Sequence, residues 1–182
     1  MTVIDPLAVN SYLKLAGEPR TAYNHKPAPL YAAYSSGGVF TITADFVNVG
    51  SALTDLFFQV TELRSRDIGV EHYLLNATGG PGQAGARYPI ANASLPDVSL
   101  PAEDSWDNGE TLPVPFVIGL LERRPFVFLV DVYGKRSDTA RTGEGTWLGQ
   151  FEFRYTPPEI IDIPTETPDS ATNWLFLPLV QR

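Results

Sequence analysis

Sixteen prolines and fifteen glycines, spread along all 182 residues, cut this chain into pieces too short for long helices. Between the breaks, apolar and polar residues alternate with period two, the mark of half-buried strands. In GVFTITADFVNVG, Phe40, Ile42, Ala44 and Phe46 share one face, and Thr41, Thr43 and Asp45 share the other. The run ends in a turn signal at Asn48 to Gly50. LFFQVTEL follows as a second strand with Phe58 and Val60 inward. In HYLLNATGGPGQAGARYPI the two Gly-rich clusters predict a tight turn or bulge between short strands.

Further on, VPFVIGL and PFVFLVDVYG predict a hairpin-like pair around Leu121–Pro125. Val114, Phe116, Ile118 and Leu120 face inward on one arm, and Phe126, Phe128, Val130 and Val132 on the other. Arg123 and Arg124 read as a solvated corner. TWLGQFEFRY is the last strand, with Trp147, Phe151, Phe153 and Tyr155 set against Gln150, Glu152 and Arg154. SYLKLAG and TAYN supply one or two edge strands near the N-terminus. Strands at this spacing without intervening helices predict an all-β fold, an antiparallel two-sheet Ig-like β-sandwich with an extended C-terminal tail. The sandwich domain is assigned to residues 1–156, a Pro-rich acidic linker to 157–173 and an apolar C-terminal strand to 174–182.

Composition closes off several functions. With 13 Lys plus Arg against 21 Asp plus Glu, the net charge is −8. No basic cluster tracks a phosphate backbone, so nucleic acid is not an expected partner. No run approaches 18 apolar residues, so direct membrane insertion by a helix is not expected. The chain has no cysteine, which removes disulfides, thiolate metal sites and cysteine nucleophiles together. His25 and His72 are the only histidines, no G-x-S-x-G elbow is present, and Ser35, Ser36, Ser51 and Ser65 sit in ordinary turn or strand contexts. No catalytic residue is assigned, and the chain is not expected to be an enzyme.

Two loop features carry binding chemistry. Glu103, Asp104, Asp107 and Glu110 crowd one polar loop with Asn108, and hard oxygen ligands of this kind suit Ca²⁺, although the spacing departs from the EF-hand loop. No other cofactor is expected. Trp106 sits in the same loop, where core burial is not the default, and is the expected ligand-binding residue. Tyr31, Tyr34 and Tyr133 join it as candidates for an aromatic platform that stacks on sugar rings. Asn76-Ala-Thr and Asn92-Ala-Ser match the glycosylation sequon, but such triplets arise by chance in any Ser/Thr-containing chain.

After Tyr155 the composition changes. TPPEIIDIPTETPDSATN holds four prolines and four acidic residues without a basic one, and it leads into WLFLPLV. That closing segment is uncharged and β-prone, and it needs a pairing partner. Trp174, Leu175, Phe176, Leu177, Leu179 and Val180 are assigned as a self-association strand. It can add to its own sandwich, augment a neighbouring subunit or domain, or serve as a sorting signal. The 17-residue spacer reaches about 50 Å when extended, enough to cross to a second subunit.

Three pieces together resemble a recurring β-sandwich module of exported proteins from Chloroflexi, cyanobacteria and related bacteria, which is similar to CARDB and other Ig-like cell-surface domains. The pieces are FVNVGSALTDLFFQVTEL, LLNATGGPGQAGA and GETLPVPFVIGLLERRPFVFLVDVYG, and the closing WLFLPLVQR resembles the Leu-Pro-Leu tails of exported Chloroflexi proteins. The resemblance implies an extracellular or cell-surface location and brings no catalytic residues. MTVIDPLAVN lacks the basic and apolar regions of a signal peptide, so the expectation is that the signal is removed or lies outside this chain. The expected function is a non-catalytic structural or adhesive module that self-assembles by strand exchange into filaments. The alternative is a carbohydrate-binding module of a secreted protein, using a sheet face or the Trp106 loop.

Overall fold

The computed structural model describes residues 12–96, 105–138 and 145–156, together with the backbone of 2–4. The linker 157–173 and the strand assigned to 174–182 lie outside the described residues. Among the described residues ten strands form: β1 (Thr2–Ile4), β2 (Leu13–Leu15), β3 (Arg20–Asn24), β4 (Val39–Asn48), β5 (Leu53–Ser65), β6 (His72–Leu74), β7 (Arg87–Pro89), β8 (Thr111–Leu120), β9 (Phe126–Arg136) and β10 (Thr146–Tyr155). They build two five-stranded sheets, one in the order β1-β10-β9-β5-β7 and the other β2-β4-β8-β6 with β3 also paired to β4. Every pairing is antiparallel. The fold is an all-β sandwich.

The core follows from the alternation. Phe40, Ile42, Ala44 and Phe46 of β4 are buried, as are the expected inward residues of β8 and β9. Phe116 of β8 meets Phe58 of β5 and Phe128 of β9 edge to face, at centroid distances of 5.4 and 5.1 Å. Burying each such ring contributes about 1.5–3 kcal/mol, and the edge-to-face geometry suits the ring quadrupoles.

The expected β8–β9 hairpin does not form. β8 pairs with β4 and β6, whereas β9 pairs with β5 and β10 in the opposite sheet. The link 121–125 crosses the gap of about 10 Å between sheets, so the apolar faces of the two arms pack against each other rather than lying side by side. At this corner Arg124 pairs with Glu122 and Asp67, and Arg123 lies over the Tyr23 ring, 4.6 Å from its centroid. The Gly-rich segment also crosses between sheets, because β6 pairs with β8 and β7 with β5.

Proline placement in β8 has a local reason. Among the described residues β6 covers only the Ile118–Leu120 end and no strand pairs with the edge beside Pro113 and Pro115, where no donor is needed. Asn76 closes part of that edge, donating Nδ2 to the Pro115 carbonyl at 2.8 Å and accepting from Val117 N at 3.1 Å.

Three bulges break the alternation. Relative to β9, β5 gains a residue between Thr54 and Phe57 and another between Val60 and Glu62, and β10 gains one between Trp147 and Gly149. Each extra residue flips the side chains that follow it to the other face. Leu148 takes the inward position expected for Trp147, whose side chain stands on the outer face at 42% exposure.

Candidate functional site

The first bulge of β5 and the bulge of β10 lie at the same level of the first sheet, on either side of Tyr133. They turn Phe57 and Trp147 outward beside it. The register aligns Trp147, Tyr133, Phe57 and Pro89 in one row across β10, β9, β5 and β7. The adjacent row is Gln150, Asp131, Gln59 and Arg87. An aromatic row thus runs beside a polar one over three strand spacings, about 14 Å.

The side chains in these rows hold one another in place. Phe57 and Tyr133 stack with centroids 5.0 Å apart and planes inclined by 10°. The Arg87 guanidinium lies 4.9 Å from the Phe57 centroid and donates Nε to Gln59 Oε1 at 3.0 Å. Asp131 is the hub of the polar row. Its Oδ1 accepts from Trp147 Nε1 at 3.2 Å and Gln150 Nε2 at 2.9 Å, and its Oδ2 accepts from Thr61 Oγ1 at 3.0 Å. A pocket of about 280 Å³ opens on this face, lined by Phe57, Gln59, Arg87, Tyr133 and Gly145. Among the described residues, Tyr133 Oη, Gln59 Nε2 and both Arg87 Nη atoms make no hydrogen bond and remain for a ligand. Aromatic walls with a few fixed polar groups are the makings of a small-molecule site.

Of the four aromatic residues expected to form a binding platform, Tyr133 alone belongs to this face. Trp106 is a correction: it is completely buried. Its backbone bridges to Leu53, its Nε1 donates to the Glu110 carbonyl at 2.9 Å, and its carbonyl accepts from the buried Asn48 side chain at 2.6 Å. The described part of the loop, residues 105–110, folds against the end of the core and takes the indole with it, so the ring has no face to offer a ligand. Tyr34 meets Tyr73 edge to face at 5.0 Å, away from Tyr133, and Tyr31 lies in the same short 3-10 segment, Pro29–Tyr34. Gly119 receives that segment, for a Cβ there would stand 2.3 Å from the Tyr34 carbonyl oxygen.

Of the expected Ca²⁺ ligands, Glu103 and Asp104 lie outside the described residues. Asp107 and Glu110 take part in a turn, with Glu110 Oε2 accepting from Asp107 N at 2.8 Å and Ser105 Oγ donating to Asp107 Oδ1 at 3.2 Å. Among the described residues no three His, Asp or Glu side chains gather around a metal-sized site. Trp174, Leu175, Phe176, Leu177, Leu179 and Val180 also lie outside them.

His72 is buried against Phe126 with neither ring nitrogen hydrogen-bonded, and burial lowers its pKa to about 4, opposed only in part by the Glu71 backbone. Ser35, Ser36 and Ser65 donate to backbone carbonyls, and Ser51 accepts from Arg136. Asn92, like Asn76, spends its amide inside the fold: it accepts from Asp55 N at 2.9 Å and donates to Asp55 Oδ1 at 3.1 Å.

Phe57 is not singled out in the sequence, and Trp147 is assigned there to the core although it stands outside. Their signal was the apolar doublet, Phe57-Phe58 and Trp147-Leu148, since a strand that buries one face sends one member of each pair outward. Compared with known proteins, the sequence matches no family model and no curated protein.

Proposed function

We propose that this chain is a non-catalytic carbohydrate-binding module of an exported bacterial protein, with the outer face of the first sheet as its ligand face. The observation that carries the reading is the Trp147–Tyr133–Phe57 row beside the Gln150–Asp131–Gln59–Arg87 row. Pyranose rings present apolar C–H faces and a girdle of hydroxyls, and the two rows offer both kinds of partner. The site rests on strands whose side chains are already held by stacking and hydrogen bonds, so little ordering is left to binding. The exported location is supported by the resemblance carried by residues 38–134.

A glycan array probed with the full chain tests this. Binding that Tyr133→Ala and Trp147→Ala each abolish, at unchanged melting temperature, supports the reading. Absence of binding to every glycan refutes it.

The self-assembling structural or adhesive role is a second proposal, favoured by an open edge. Among the described residues β3 pairs only with β4, and four of its five residues are exposed. Such an edge can accept a strand from a neighbour, and Trp174 to Val180 is the segment proposed to supply it. A chain ending at Thr156 then runs as a monomer where the full chain forms oligomers. Identical size-exclusion profiles rule the idea out.

A further inference from the structure

We propose that the pocket on the outer face takes the uronate residue of an acidic polysaccharide, with Arg87 as the partner of its carboxylate. This rests on the glycan reading of the same face and names the class of glycan.

Among the described residues, Arg87 is the only charged one lining the pocket. The other cations on this face, among the described residues, already have carboxylates: Arg64 pairs with Glu62, Lys135 with Asp55 and Arg154 with Glu152. Arg87 has only the neutral partners Gln59 and Phe57. With Nε tied to Gln59 and the guanidinium over a ring, its plane is fixed and its two Nη groups are left to donate. Two parallel N–H donors match the two oxygens of a carboxylate, and pre-orientation lowers the ordering cost of meeting one. Tyr133 lines the same pocket and offers packing for the sugar ring that bears the acid, while Phe57, stacked between Tyr133 and Arg87, holds both in place.

The charge of the whole chain narrows the choice. A net charge of −8 repels a dense polyanion at long range, while a single carboxylate against Arg87 interacts at contact. The geometry therefore favours isolated uronates on a largely neutral chain over heavily sulfated glycans.

The test uses the full chain on an array of glucuronoxylan, homogalacturonan and alginate, each beside its carboxyl-reduced form, with neutral and sulfated glycans as further arms. Calorimetry on the tightest binder then compares the native chain with Arg87→Ala, Arg87→Lys and Tyr133→Ala. The expected result is binding to glucuronoxylan that carboxyl reduction removes, with weaker binding to the densely charged homogalacturonan and alginate. Arg87→Ala should weaken it about tenfold or more, Arg87→Lys should restore it in part, and Tyr133→Ala should remove it. Equal binding of carboxylated and reduced forms, or no effect of Arg87→Ala, overturns the uronate assignment and leaves the glycan reading standing. A preference for sulfated glycans also overturns it. No binding to any glycan overturns both.

Discussion

Leu56 and Leu148 converge on one point of the core from bulges in two different strands. Both flank Gly134 of β9, where a Cβ would lie 2.9 Å from Leu56 Cδ2 and 3.0 Å from Leu148 Cδ1. The bulges that drive these leucines inward are the ones that turn Phe57 and Trp147 outward, so the packing around Gly134 and the aromatic row are two sides of one arrangement. Gly134→Ala is expected to force the leucines aside and cost about 1–3 kcal/mol. It should also weaken glycan binding, although residue 134 points away from the ligand face. A melting temperature and affinity both equal to those of the native chain would show that the bulges do not depend on this gap.

The alternation of β4, β8 and β9 made the sandwich legible, because a strand with one buried face writes its burial directly into the sequence. Partner choice was not legible in the same way. Phe116 and Phe128 carry the same pattern whether their strands lie edge to edge or face to face, and only the sheets themselves decide. Bulges hide for a related reason. One extra residue at Leu148 inverts the phase, so a reading that carried the alternation back from Phe151 placed Trp147 inside. Trp106 failed in the opposite sense: its polar neighbours hid a ring that plugs the end of the core.

That plug is held by Asn48. This buried amide donates Nδ2 to the carbonyls of Trp106 and Ser51 at 2.6 and 2.9 Å and accepts from Gly50 N at 2.8 Å. Asn48→Ala leaves buried backbone groups without partners and should cost about 2–3 kcal/mol. Asn48→Asp should be worse at neutral pH, since a carboxylate would face two carbonyl oxygens. Urea unfolding of both variants at pH 7 measures the difference. An Asn48→Asp chain as stable as the native one would remove Asn48 from this role.

Asp55 is the only described non-glycine residue with positive φ, at 51°. Asn92 grips it from both sides, and Lys135 Nζ lies 2.8 Å from its Oδ2. The Lys135 contact first, and the Asn92 hydrogen bond second, hold its carboxyl below the usual range. Asn and Gly tolerate this left-handed conformation, whereas a β-branched residue does not. Asp55→Asn and Asp55→Gly should therefore fold with Phe57 still outward. Asp55→Val should lose about 1–2 kcal/mol and loosen the first bulge of β5. Equal thermal stability for Asp55→Val and Asp55→Gly would contradict this account of the bulge.

His72 gives the fold a pH dependence of definite sign. Its folded pKa is about 4 against an ordinary 6.5, because burial disfavours the charged ring. Between those values the unfolded chain binds the proton that the folded chain refuses. The stabilisation is complete above pH 6.5 and is lost as the pH falls toward 4. Each pH step of one between the two values removes about 1.4 kcal/mol, so roughly 2–3 kcal/mol should disappear between pH 7 and pH 4.5. Below that window Asp55 and Asp138, both held low by basic partners, add their own losses. His72→Leu removes two unpartnered ring nitrogens and keeps an apolar side chain against Phe126. It should be no less stable than the native chain at pH 7, and markedly more stable at pH 4.5. Unfolding free energies at pH 7, 5.5 and 4.5 decide the matter: the native chain should show the slope and the variant should lack it. The same slope in both would place the titration on another group.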